Sequence, residues 1–374
     1  MELAGVYRRL ADVIAARADV RIDGDRPWDI RVRDPNVFRR ALLGGSIGLG
    51  EAYLDGQWWS QDLEETAYRF AAARLEEVAA LLPTGLGQRV LWALGNQQSR
   101  ERSRRVARQH YDLGNDLFFA FLGAKKVYSC GYFQGPTDLD SAQLAKLDLL
   151  CRKLDIQPGQ RLLDVGCGWG EFARHAAQHH GARVTCISIS SEQVEFAREY
   201  CKGTDVEVLR CDYRDVQGRF DRVAAIAMFT HVGFRNYRTF MQKMHDLLEP
   251  DGIFVMEGIW GNVSTVHIDA WMDKYIFPGG QLPSGKQTFE AFEGLFVLED
   301  LHNFGPSYVH TLRAWHRNLE ASWPQLSARY DERVRLIFEY YFQVCAGYFR
   351  ARAIQNWQLV LTRTGRSQPP CRLY

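Results

Sequence analysis

From about residue 140 onward, short apolar runs alternate with stretches of helical period, and this alternation limits the fold more than any other feature. The runs "RLLDVG" (161–166), "ARVTCISIS" (182–190), "VEVLRCD" (206–212), "FDRVAAIAMF" (220–229) and "IFVMEGIW" (253–260) read as strands. Between them, "EFARHAAQHHG" reads as a helix closed by Gly181, and "SEQVEFAREYCK" as a helix capped by Ser190 or Ser191. "YRTFMQKMHDLLEPDG" is a third helix. Strand–helix repetition of this kind demands a mostly parallel sheet covered by helices on both faces. Such sheets take their ligands beyond the carboxyl ends of the strands. The apolar run "VAAIAMF" stops there at Thr230 and His231, and Glu257 follows the apolar start of the next strand. Two further strands are expected at 296–305 and 356–363, with a long helical insertion between them.

The first 95 residues belong to a different regime of short elements and glycine-rich turns, such as "LLGGSIGLGEAYLDGQWWS". The expected division is an N-terminal α+β domain at 1–95 and a catalytic α/β domain at 96–374 that carries the helical insertion. The N-terminus has arginines inside its apolar pattern and reads as an amphipathic helix, not a signal peptide. No apolar run approaches the roughly 20 residues of a membrane-spanning helix, so contact with a membrane is expected from the surface only. Five arginines in "SRERSRRVARQH" (99–110) fit either a solvated helix or a basic strip facing anionic lipid. Near such a surface each cation adds about 1 kcal/mol. A net charge of +1 argues against a nucleic-acid binder held by bulk charge. Eight cysteines without metal-ligand spacing are expected as reduced thiols in a cytoplasm.

The turn "LLDVGCGWGE" sets Asp164, Gly166, Gly168 and Gly170 at alternate positions after a strand. Glycines there let backbone pass close to a ligand at a strand-to-helix turn. A dinucleotide fingerprint needs its third glycine at the position of Glu171, so a nicotinamide cofactor fits poorly. The pattern instead resembles the first motif of S-adenosylmethionine-dependent methyltransferases, whose class I fold is Rossmann-like. Asp212 and Tyr213 end the third strand, where an acid can accept from an adenine amine and an aromatic can stack on the ring. Ser188 and Gln193 follow the second strand, where many methyltransferases place an acid for the ribose hydroxyls.

Seven ordered motifs narrow this further. "HYDLGNDLF" (110–118), "VYSCGYF" (127–133), "LLDVGCGWG", "MFTHVG" (228–233), "YIFPGGQLPS" (275–284), "HNFGPSY" (302–308) and "CAGYFRARAIQNWQ" (345–358) resemble cyclopropane-fatty-acyl-phospholipid synthases. The N-terminal stretch "GGSIGLGEAYLDGQWW" (44–59) resembles them too. The resemblance implies methyl transfer from S-adenosylmethionine to the double bond of a phospholipid acyl chain. An alkene attacks the sulfonium methyl, a carbocation forms on the acyl chain, and loss of a proton from the new methyl closes the ring. Water must be excluded and one base held. The resemblance implies bicarbonate as that base, in a cage at Cys130, Thr230, Glu257, Ile259 and Tyr308. It implies cofactor contacts from Tyr128 and Ser129, and places Cys345 near the site. No covalent step is needed, so Cys345 reads as a pocket-lining thiol or simply as a small buried residue. The aromatic residues Tyr340, Tyr341, Phe342, Tyr348 and Phe349 read mostly as core. Work in the cytoplasm at the inner membrane surface, and dimerisation through the N-terminal domain, are further implications.

The sequence departs from the family at two cage positions. The family has Glu where Thr230 stands and His where Glu257 stands. Three readings follow. Glu257 replaces the missing carboxylate and bicarbonate still binds. Glu257, with a raised pKa, is itself the base. Or a different proton is lost, leaving a methylated chain without a ring. His231 is expected to hydrogen-bond a neighbouring backbone group.

Overall fold

A computed structural model describes residues 2–74 and 114–373, and the chain divides into two units. The basic stretch 99–110 and the first part of "HYDLGNDLF" lie outside the described residues.

The first unit comprises the described residues up to 74 together with 267–278 and 308–354. It begins with α1 (Glu2–Arg17), the two-residue strand β1 (Arg31–Val32), α2 (Asn36–Leu54), the strand β2 (Trp58–Trp59) paired antiparallel with β1, and α3 (Leu63–Ala72). Asp62 caps α3 by accepting from the Glu65 N–H. The helical segment expected inside a catalytic domain groups with this unit instead.

The second unit opens with α4 (Asn115–Leu122) and α5 (Leu139–Lys153) and is built on a seven-stranded sheet. Its first strands and helices alternate as β3 (Arg161–Val165), α6 (Glu171–His180), β4 (Arg183–Ser188), α7 (Ser191–Tyr200), β5 (Val206–Arg210), β6 (Phe220–Ile226), α8 (Tyr237–Leu247) and β7 (Leu248–Gly261). The short helix α9 (Ala270–Tyr275) belongs to the first unit, and α10 (Gly285–Phe292) and β8 (Val297–Asn303) return to the second. Then come α11 (Pro306–Leu326), α12 (Glu332–Arg350) and β9 (Ile354–Thr362). The sheet order is β5-β4-β3-β6-β7-β9-β8; β5 through β7 run parallel, and β8 pairs antiparallel with β9.

Alternation along each strand divides the sheet's core into two layers. Leu163, Phe254 and Trp260 join one with Phe229 and Phe240 from the connections. Leu162, Val184 and Val255 join the other with Leu147, Leu150 and Ala173 from α5 and α6. Gly181 closes α6 in the left-handed conformation and Ser190 caps α7, both as the sequence reads. In the first unit, α12 crosses α3 at Gly347, where a Cβ would stand 2.6 Å from the Tyr68 backbone nitrogen. No described helix is long and apolar enough to cross a membrane.

Candidate active site

The carboxyl ends of β3, β4 and β5 carry the glycine motif and its neighbours. After Val165 the chain turns at Gly166, which has φ +85°. The amides of Gly166 and Cys167 both donate to the Ile187 carbonyl at 3.0 Å. A Cβ on Gly166 would approach Met228 Cγ to 2.9 Å, so no other residue fits without displacement. Space is open where a Cβ on Gly168 would point, and the turn delivers the chain into α6. The free amides of that helix start face the same end of the sheet. At the end of β4, the buried Ser188 hydroxyl donates to Gln193 Oε1 at 3.0 Å. Asp212 is held by Arg214, whose backbone amide donates at 3.0 Å and whose guanidinium lies 3.3 Å away. Tyr213 turns its ring into the core, edge-on to Phe240 at 5.1 Å, with Arg214 over its face.

A buried polar floor adjoins this turn. Lys146 of α5 is fully buried and donates to Ser129 Oγ at 2.9 Å. Gln143, one turn earlier, donates to the Ser129 carbonyl at 2.9 Å, so α5 fixes the segment that carries Tyr128, Ser129 and Cys130. Tyr128 is set edge-on against Phe118 and Phe121, and Cys130 is completely buried. Asp164, next to last in β3, is also buried, and its Oδ2 has no hydrogen-bond partner. Burial pushes its pKa up to about 7, against the pull of the Lys146 charge. Glu257 lies on β7 opposite Ile226 of β6 and is 1% exposed. Its Oε2 accepts from Gln358 Nε2 at 2.8 Å, while Oε1 is buried without a partner. Burial raises its pKa above the ordinary carboxylate range, and the Lys146 charge is the largest opposing influence. Burial in turn lowers Lys146, with Glu257 the leading opposing charge.

Thr230 and His231 are not at a strand end. Strand β6 stops at Ile226, because Ala227 adopts φ +54° and Phe229–His231 form a single 3₁₀ turn packed on β7. The Ala227 amide donates to the Glu257 carbonyl at 2.8 Å, which roots the turn beside Glu257. Gln281, from "YIFPGGQLPS", holds the far side. Its amide donates to the Thr230 carbonyl at 2.8 Å, its Oε1 accepts from the Phe234 amide at 2.6 Å, and its Nε2 donates to the Val266 carbonyl at 2.7 Å. Burial pushes His231 down to about 4, so it is neutral at physiological pH. Ile259 follows Glu257 two residues on, half-buried on the same side of β7.

The sequence model of the mycolic acid cyclopropane synthetase family matches residues 98–359. The chain belongs to that family. The cyclopropane-fatty-acyl-phospholipid synthase of Escherichia coli strain K12 is 43% identical over 360 residues, covering 96% of this chain and 94% of that protein. The tuberculostearic acid methyltransferase UfaA1 of Mycobacterium tuberculosis is 32% identical, covering 97% and 92%. The crystal structure of mycolic acid cyclopropane synthase CmaA1 complexed with SAH and CTAB superposes with a TM-score of 0.66 at 30% identity, covering 70% of this chain and 98% of that one. This cyclopropane-synthase homologue is therefore an S-adenosylmethionine-dependent methyltransferase with the class I fold. The site suits its cofactor: Gly166 and Gly168, the α6 amides, Ser188, Gln193 and Asp212 surround one end of the sheet, and open space stands over Gly168.

Two expected site residues of the family member lie in the other unit. Tyr308 stacks face to face on Phe349 at 4.5 Å and is buried. Burial raises the pKa of Cys345, with Asp269 adding to the effect, so it is a neutral thiol rather than a nucleophile. Tyr340 packs on Trp271 and Tyr53, and Phe342 on Trp315, which makes them core. Lys146, Gln143, Gln281 and Gln358 were not legible as site residues. A signal for Lys146 existed: it stands among Leu139, Ala142, Leu149 and Leu150 on the apolar face of α5, where a solvated lysine has no place.

Proposed function

We propose that this enzyme methylates the double bond of an unsaturated phospholipid acyl chain and closes a cyclopropane ring, with Glu257 accepting the proton. When bound, S-adenosylmethionine supplies an electrophilic methyl group. The alkene's electron pair would form the new carbon–carbon bond as the methyl's bond to sulfur breaks and that pair stays with sulfur, leaving a cation on the adjacent acyl carbon. What remains for the protein is one proton. A C–H pair of the new methyl closes onto the cationic carbon, and the proton passes to Glu257.

The unpartnered, buried Oε1 of Glu257 supports this reading best. Gln358 occupies the other oxygen and fixes the carboxylate plane. Burial raises the Glu257 pKa, the direction that strengthens a carboxylate as a base, and the Lys146 charge is the largest influence opposing that rise. A bicarbonate beside Glu257 would meet a like charge, so the reading in which Glu257 acts alone is the better supported one. Cys130 and Ser129 wall the same floor, while Gly166, Gly168, Ser188, Gln193 and Asp212 hold the cofactor. The division of labour proposed is an accessory region at 1–95 and a catalytic region at 96–374, with the acyl chain received by the late helices. The apolar residues Val6, Leu10 and Val13, exposed on α1 at helical spacing, support work against the inner membrane surface of a cytoplasm, and eight free thiols support the compartment.

The experiment is expression in cells rich in cis-unsaturated lipids, with isotope-labelled methyl donor and mass spectrometry of the fatty acids. A gain of one methylene unit with the alkene lost is expected. A gain with the alkene retained means methylation without closure and rejects the ring. No mass change rejects both. Turnover independent of added bicarbonate is expected if Glu257 acts alone.

A further inference from the structure

The C-terminal half of α5 and the middle and end of α6 bring together a set of side chains that the methyl-transfer chemistry does not use. Asp148 and Cys151 stand three residues apart on α5, and His175 and His180 project from α6. One donor atom from each of Cys151, His175 and His180 lies within 4.8 Å of every other. Asp148 Oδ1 is 2.8 Å from His175 Nε2 and 3.7 Å from His180 Nε2. We propose that Cys151, His175, His180 and Asp148 form a four-ligand site for a zinc-like divalent ion that clamps α5 to α6.

The donor set and the spacing both argue for this. A thiolate, two imidazoles and a carboxylate form a mixed soft and borderline set suited to Zn²⁺ or Co²⁺ and unsuited to Mg²⁺ or Ca²⁺. Tetrahedral Zn–N and Zn–O bonds of about 2.0 Å put nitrogen and oxygen about 3.3 Å apart, and a Zn–S bond of about 2.3 Å puts sulfur about 3.5 Å from nitrogen. The two observed nitrogen–oxygen distances bracket that value. Access is built in: Cys151 and His175 form the buried floor, while the Asp148 side chain is 54% exposed and His180 is half-buried. On binding, the Cys151 S–H bond breaks, its proton leaves to solvent and the sulfur pair goes to the metal. A second cluster, His316 with Glu320 and Glu339, is a weaker candidate. Arg335 already takes Glu320 at 2.9 Å and Glu339 at 2.8 Å, and Tyr53 donates to Glu339 at 2.7 Å.

The test is cobalt titration of the chelator-stripped full chain, read by absorbance and by metal analysis after gel filtration. The expected result is one retained Co²⁺ per chain with tetrahedral bands and a thiolate-to-cobalt charge-transfer band, displaced by Zn²⁺. The sulfur band distinguishes this site from the His316 cluster, which has no sulfur. Cys151→Ser should abolish it. Because Cys151 is core, His180→Gln is the second arm. At its half-exposed position it should keep the wild-type circular dichroism and bind Co²⁺ about 10- to 100-fold more weakly. No retained cobalt, cobalt without the sulfur band, a band that survives Cys151→Ser, or wild-type affinity in His180→Gln would each overturn the proposal.

Discussion

The two units bury carboxylates in opposite ways. In the helical unit, Glu64 of α3 accepts from Arg313 at 2.7 and 2.8 Å and from Arg350 at 3.0 Å, and Glu65 takes the other arm of Arg350 at 2.7 Å. Each Glu64 oxygen has a cationic donor. In the sheet unit, Glu257 Oε2 accepts from the neutral Gln358 while Oε1 and Asp164 Oδ2 have no partner, and Lys146, whose charge with that of Lys153 acts on Glu257, gives its hydrogen bond to Ser129. Saturated pairing holds helices together and leaves nothing to react. A carboxylate left with an orphaned oxygen costs stability, and that cost is characteristic of a site that must take up a proton.

This contrast can be broken from either side. Glu257→Gln should lower turnover by about 10²–10⁴-fold, the range for loss of a positioned base, with cofactor affinity close to wild type by calorimetry. Unchanged turnover would remove Glu257 from the chemistry. Asp164→Asn comes next. The folded-state pKa of Asp164 is raised to about 7 from 3.8, so the folded protein binds the extra proton between those values, and stability falls as pH rises through that window. Denaturant melts should show the variant without that fall, a gain on the order of a few kcal/mol above pH 7. Glu64→Ala should cost about 1–2 kcal/mol in the same melts, since Arg313 and Arg350 are partly exposed and screened, and should leave turnover per folded molecule intact. The smallest effect is expected for Lys146→Met. Losing its charge raises the Glu257 pKa further, so the acid limb of the kcat/KM profile should move to higher pH. A profile that stays in place would make Lys146 a merely structural residue.

Much of this was readable from residue order. Parallel strands buried on both faces leave long apolar runs, and the glycines at 166 and 168 and the caps at Ser190 and Gly181 announce themselves by chemistry. What escaped reading depended on tertiary contact. "VAAIAMF" looks like one strand, but Ala227 takes a left-handed conformation that its side chain does not advertise, and the run continues as a 3₁₀ turn. A lysine in a helix is read as solvated, yet Lys146 lies inward because a serine and the carboxylates of Glu257, Asp164 and Glu171 await it from other elements. Helices α11 and α12 follow a strand in order but pack with α3, through glycine at 347 and the Glu64 arginines, which no local pattern reveals. The swapped residues at 230 and 257 were visible only against the family pattern, and their meaning needed the hydrogen bonds of Glu257.

Gln281 secures the Thr230 turn entirely through main-chain atoms: the Thr230 carbonyl, the Phe234 amide and the Val266 carbonyl. None of these anchors depends on which side chain stands at 230. The scaffold therefore insulates the loop's path from the chemistry at its tip, and position 230 is open to redesign. A library at this single codon would explore reaction outcome while the loop keeps its course.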